Sequence, residues 1–223
     1  MTLLAAFQTL VYRYTGQTDI VLGTGIAGRN QLETEKLIGF FVNTLVLRCR
    51  PEGNLSFLEF LRQVREVTLG AYAHQDLPFE RLVEALQPER DLRYTPLFQV
   101  MFSMENTPRE AIAMPGLKLT MLGSKNEVSR FDLTFFVFEG DDKLMGSVQY
   151  NTALFDYSTV ARMITHFRVL CASIVESPTR QLSELRLLED AEVGGYTPLQ
   201  FPDAHLSQQD FESVMLEINK ASA

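Results

Sequence analysis

The stretch that most constrains this chain is His74-Gln75-Asp76-Leu77-Pro78-Phe79-Glu80, which separates two helical patterns by a turn. Pro78 has its φ fixed in the helical range and no N–H to leave unpaired, so it reads as a helix start. Phe79, Leu82, Val83 and Leu86 follow at i, i+3, i+4 and i+7 and give that helix one apolar face. The same turn sets His74 beside Asp76. A histidine in that place is ordinarily a structural hydrogen-bond partner; as a base oriented by a carboxylate it would need a nucleophile to serve.

The chain around this turn alternates helical and β patterns. Leu3, Phe7, Leu10, Val11 and Tyr14 share one helical face, closed by Gly16. That helix starts at residue 1 with no capping residue, as if entered part-way. Asp19 to Gly23 is a short buried-strand pattern. Gly23-Thr24-Gly25-Ile26-Ala27-Gly28 then matches the dinucleotide fingerprint, but its context rejects it. Arg29 to Lys36 is too polar to pack as a nucleotide-fold helix. Where an acidic ribose partner is expected, about 20 residues on, stands Asn43-Thr44-Leu45-Val46. The run from Ile38 to Arg48 passes from loop to strand. Its Asn43-Thr44 pair lies in an apolar setting and must find partners, either the backbone or a ligand.

Ser56-Phe57-Leu58-Glu59 is a capping box opening a helix with Phe57, Phe60, Leu61, Val64 and Ala71 inside. Beyond Pro88, Arg90-Asp91 leads to Pro96-Leu97-Phe98 and a strand over Gln99 to Met104. An alternating strand is expected over Leu117 to Met121. Phe131 to Phe138 and Leu144 to Tyr150 bracket a hairpin signal at Glu139-Gly140-Asp141-Asp142. The last helix of this part, after Ser158, turns Val160, Met163, Ile164, Phe167, Cys171 and Ile174 inward and leaves His166 on its solvated face. From Ala191 the composition changes to a linker, followed by a short amphipathic helix with Phe211, Val214, Met215 and Ile218 on one stripe. That stripe fits either its own domain or a partner.

Several function classes are excluded on composition. A net charge of −8 on 223 residues argues against broad nucleic-acid binding, which needs clustered cations. No run is long enough to span a membrane, and the N-terminus has no signal-peptide pattern. Cys49 and Cys171 read as reduced, mostly buried thiols of a cytoplasmic protein. The three histidines show no metal-ligand spacing, and no nucleophile elbow or phosphate loop is present. The residues alone describe a mixed α/β domain without a complete catalytic set.

The order of motifs nevertheless resembles a known family. Ile38 to Thr44 (IGFFVNT), His74 to Glu80 (HQDLPFE), and Arg90-Asp91 with Pro96-Leu97-Phe98 are similar to the last three signature motifs of condensation domains from non-ribosomal peptide synthetases. Gly23 to Arg29, Phe98 to Phe102, Arg130 to Leu133 and Tyr150 to Asp156 agree. The resemblance covers about residues 1 to 190. It implies a chloramphenicol-acetyltransferase-like subdomain, a mixed β-sheet flanked by helices, and specifically the C-terminal half of a condensation domain. Residues 191–223 would be a linker with its amphipathic helix.

In that family two such halves enclose a tunnel. Phosphopantetheine arms on carrier proteins enter it, and an acceptor amine attacks a donor thioester. The family's catalytic histidine belongs to a His-His-x-x-x-Asp-Gly motif in the first half, and no His-His occurs here. The resemblance therefore implies no catalytic residue in this chain, no metal and no directly bound cofactor. Its partners would be carrier proteins and the missing half, and it would be inactive alone. Asn43, Thr44, His74, Gln75, Asp76, Pro78, Phe79, Tyr150 and Asn151 would shape or support the tunnel. Arg29, Gly39, Arg90, Asp91 and Pro96 would be structural motif positions. Two departures stand out: Gly25 where proline is common, and Ala153 where an acidic residue is usual. A non-catalytic carrier-binding module and an epimerisation-type fragment are the alternatives.

Overall fold

The structure is a computed structural model, and it describes residues 1–29, 32–35, 37–88, 94–105, 128–139 and 144–188. The elements, in chain order, are α1 (Thr2–Thr15), β1 (Ile20–Ile26), α2 (Leu32–Glu35), β2 (Asn43–Cys49) and α3 (Phe57–Ala73). They continue with α4 (Phe79–Leu86), β3 (Val100–Glu105), β4 (Leu133–Glu139), β5 (Leu144–Tyr150) and α5 (Tyr157–Glu176). The strands form one mixed sheet in the order β2-β1-β3-β4-β5. β1 pairs antiparallel with β2 and parallel with β3; β3 pairs parallel with β4, and β4 antiparallel with β5.

Period-two alternation sends Ile20 and Leu22, Leu47 and Cys49, and Leu133, Phe135 and Val137 into one core. Facing them are α1, α3 and α5, with α1 packed on both of the others. Phe7 of α1 is the centre of this layer. Its ring lies 5.5 Å from Phe102, 4.9 Å from Phe135 and 6.4 Å from Phe167. Offset and edge contacts of this kind add to the burial of large apolar rings. Both cysteines are free and buried.

Local chemistry sets the helix ends. Gly16 takes a left-handed φ of 68° and its N–H closes α1 on the Tyr12 carbonyl. The capping box at α3 is present. The Ser56 hydroxyl accepts from the Glu59 N–H, and the Glu59 carboxylate accepts from the Ser56 N–H. The Ser56 hydroxyl donating to the Glu59 carboxylate, and after it the Ser56 N–H, hold that carboxyl below its ordinary range. The chain then returns to this corner after α5. Leu182 N–H donates to the Leu55 carbonyl, and the Arg13 guanidinium donates to the carbonyls of Leu182 and Leu185.

Several expectations shift. β1 runs on into the glycine-rich fingerprint as far as Ile26 instead of stopping at Gly23, and in the polar segment beyond it the described helix is the four-residue α2. Pro78 is the residue preceding α4 and has an extended ψ of 141°, so the helix begins one residue later than expected. The apolar face of α4 is incompletely covered: none of its residues is buried, and Leu86 is exposed. His166 is not on a solvated face. It is buried, hydrogen-bonded through Nδ1 to the Tyr14 hydroxyl at 2.5 Å. The buried arc of α5 is wider than the expected stripe because α1 lies against it and supplies that hydroxyl. The expected strand at Leu117 to Met121, the hairpin turn at 140–143 and the segment 191–223 lie outside the described residues.

Burial pushes the Cys171 thiol up to about 12. It also raises Cys49, with the Gln8 amide beside that thiol acting in the opposite sense. The thiolate is the reactive form, so at pH 8 the native chain should react with an aromatic disulfide reagent at neither cysteine. Both should react promptly in denaturing urea. Rapid labelling of the native chain would contradict the packing around α1 and α5.

Candidate functional site

The sequence motifs converge at one corner of the sheet, where β1 ends and β2 begins. Asn43, the first residue of β2, faces Ile26 across the ladder. Its carboxamide reaches the His74 turn. Nδ2 donates to the carbonyls of Gln75 and Leu77, both at 2.8 Å. Oδ1 accepts from the Phe79 N–H at 3.2 Å and from the Thr44 N–H at 2.9 Å. Pro78, at the cap position of α4, has no side chain that can accept a hydrogen bond. Asn43 thus satisfies a first-turn N–H of α4 from a different element. This answers the question raised by a polar pair in an apolar run: the partner is backbone.

His74 caps the end of α3, where its N–H donates to the Ala71 carbonyl and its own carbonyl accepts from Leu77 N–H. Its imidazole and the Asp76 carboxylate are exposed. Among the described residues no hydrogen bond or ion pair joins the two. Thr44 pairs with Gly25 in the ladder and is half-buried.

An aromatic chain ties the other motifs to this corner. The Phe79 ring stands edge-on to Phe98 at 5.8 Å, and Phe98 stacks on Phe131 at 5.2 Å. Phe98 is buried directly over Gly23. A Cβ on that glycine would lie 2.2 Å from the Phe98 ring. Leu97, between Pro96 and Phe98, adopts a left-handed φ of 71°, a conformation that costs a branched residue energy and re-aims the next side chain. The Phe98 N–H returns to the Pro96 carbonyl, and the Thr95 hydroxyl donates to the Phe98 carbonyl.

The loop between β1 and β2 is pinned at its base. Gly28 has φ 63°, and a Cβ there would lie 1.9 Å from the Phe41 carbonyl oxygen. The Arg29 guanidinium sits 4.4 Å over the Phe41 ring and also donates to the Thr34 carbonyl. The Phe41 ring in turn lies close over Gly39. From this base Leu37, Ile38, Phe40 and Val42 point outward and are exposed, with Leu77 of the turn exposed as well. So large an apolar group on one loop and turn is uncommon on a free surface.

Not every expected position joins this corner. Tyr150, on β5 at the opposite edge of the sheet from β2, pairs with Leu133 of β4 and packs against the core. Asn151 Oδ1 accepts from Ala153 N–H in the turn that leads to α5, and its own N–H donates to Asp132. Arg90 and Asp91 lie outside the described residues. Sequence reading missed Gly23, Gly28 and Leu97 as packing positions. The glycine fingerprint was their signal, and the aromatic residues of the later motifs were what its glycines accommodate. Among the described residues no group of three His, Cys, Asp or Glu side chains is placed to hold a metal, and no helix is long and apolar enough to cross a membrane.

A helix-backed mixed sheet of this order is the chloramphenicol-acetyltransferase-like fold of condensation domains. It matches a four-domain nonribosomal peptide synthetase, holo-AB3403 bound to AMP and glycine, with TM-score 0.78 and 25% identity over 90% of this chain and 16% of that one. The X-domain in its complex with OxyB from teicoplanin biosynthesis matches with TM-score 0.75 and 28% identity, over 85% of this chain and 42% of that one. The family model for the condensation domain covers residues 1–194, and the chain belongs to that family. Its relatives include a linear gramicidin synthase of Brevibacillus parabrevis, 52% identical over 86% of this chain and 4% of that protein. A surfactin synthase of Bacillus subtilis (strain 168) is 41% identical over 86% of this chain and 5% of its own length. The chain thus spans a small fraction of the synthetases it matches, and less than half of the X-domain chain.

Proposed function

We propose that these residues are the C-terminal half of a condensation domain that forms peptide bonds between carrier-protein-tethered aminoacyl and peptidyl thioesters. In this reading the acceptor amine attacks the donor thioester carbonyl, the C–N bond forms, and the C–S bond breaks to release the donor's phosphopantetheine thiol. The proton lost by the amine is handled by a His-His-x-x-x-Asp-Gly motif outside these 223 residues, which contain no His-His pair. Phosphopantetheine arrives as part of the carrier-protein substrates, and the chain itself binds no cofactor. Residues 1–190 make the wall of the chamber, and 191–223 link it onward. The observation that carries the reading is the condensation-domain match over residues 1–194. The outward apolar loop supports it as a surface built to be covered.

The test uses two carrier proteins loaded with donor and acceptor, incubated with this chain alone and with a matching N-terminal half. Product is expected only from the complemented mixture. Product from the chain alone, above spontaneous aminolysis, would overturn the division of labour. A complemented complex that forms but gives no product would favour a second reading, a non-catalytic binding module. That reading has one observation of its own, the similarity to an X-domain whose solved structure is a complex with another protein, OxyB.

A further inference from the structure

We infer that Asn43 is a positioning residue: its carboxamide fixes the His74 turn and the start of α4 on the edge of the sheet, so that two sequence motifs act as one structural unit. The chemistry at this point is specific. One arm must donate twice, to Gln75 and Leu77 carbonyls, while the other accepts twice, from Phe79 and Thr44 N–H groups. A carboxamide does this and a carboxylate cannot, since it has no donor to offer. A hydroxyl has one proton and cannot serve both carbonyls. The stem length matters equally, because β2 begins at Asn43 and its backbone is held in register opposite Ile26. Glutamine would carry the same group one methylene too far.

The turn cannot hold itself in this place. Among its internal backbone bonds are His74 N–H to Ala71 and Leu77 N–H to His74, and these shape it locally without attaching it to the sheet. None of the α4 side chains is buried, so packing alone does not set where that helix starts. Besides the Phe79–Phe98 ring contact, the polar clamp ties the turn to the start of β2. In this inference Asn43 acts through the turn, since the four bonds of its carboxamide all go to backbone groups. This deepens the condensation-domain reading and, for its catalytic consequence, rests on it.

The structural part is tested on the chain as it stands, by amide hydrogen exchange in native buffer. The Phe79 N–H has no acceptor within its own helix, so its protection reports directly on Asn43. In Asn43→Asp, which keeps size and the accepting arm, and in Asn43→Ser, exchange at residues 77–82 should accelerate about tenfold or more. The amides of β4 and the middle of α5 should not change. Unchanged exchange at 77–82 in both variants, or an equal acceleration everywhere, would overturn the inference. The catalytic part uses the complemented domain: the variants should lower kcat with little change in KM for the acceptor carrier protein. A wild-type complex that is itself inactive would sink the functional reading and leave the exchange result standing. An active complex whose kcat is indifferent to both variants would sink the positioning role in catalysis.

Discussion

Alanine at Gly23 will destabilise the chain by about 1–3 kcal/mol or more, the range for forcing extra atoms into a packed site, because its Cβ would enter the Phe98 ring at 2.2 Å. The strand position gives no relief. Gly23 is paired with Val46 on one side and Met101 on the other, so its backbone cannot back away without breaking two ladders. The ring is also confined, by Phe79 and Phe131. Removing the ring instead, Phe98→Ala, should cost about 3–5 kcal/mol through lost burial and the void left behind. The two changes are complementary in volume, so the double variant should be distinctly less unstable than the sum of the singles. Urea denaturation of the four proteins in a double-mutant cycle measures that coupling. Strict additivity would mean that the glycine does not seat the ring.

How much of the fold and site is readable from sequence depends on where each interaction lies along the chain. The capping box at Ser56 and the αL glycine at the end of α1 are local, fixed within a few residues, and both were legible. The β4 and β5 runs were equally plain, because a turn signal at Glu139 to Asp142 separates them within a few residues. The Asn43 clamp was half legible. A polar pair in an apolar run demanded partners, but nothing in the sequence said that they lay in the turn beginning 31 residues on. The glycine fingerprint misleads for a physical reason. Nucleotide loops and this strand both need glycine for close approach, in one case of a phosphate and here of Phe98. His166 shows the converse. Its periodicity placed it off the core stripe, yet the Tyr14 hydroxyl on α1 gives it a buried partner that only the tertiary arrangement supplies.

Two glycines with nearly the same φ separate dihedral strain from steric exclusion. Gly16 has φ 68° and Gly28 has φ 63°, so a side chain at either incurs the left-handed penalty, about 1–2 kcal/mol. Nothing lies within 4 Å of a Cβ built at Gly16. At Gly28 the Cβ would lie 1.9 Å from the carbonyl oxygen of Phe41, a backbone atom that cannot rotate aside like a side-chain tip. Gly16→Ala should therefore lose only the dihedral penalty, while Gly28→Ala should lose several kcal/mol in total, or open the base of the β1–β2 loop to avoid it. Opening would free Phe41 from the Arg29 guanidinium and detach the exposed run at Leu37 to Val42 from its anchor. Binding of a hydrophobic dye and self-association should then rise in Gly28→Ala and stay unchanged in Gly16→Ala. Equal stability losses in urea, with no difference in dye binding, would show that Phe41 does not approach Gly28 this closely and that the loop is not anchored there.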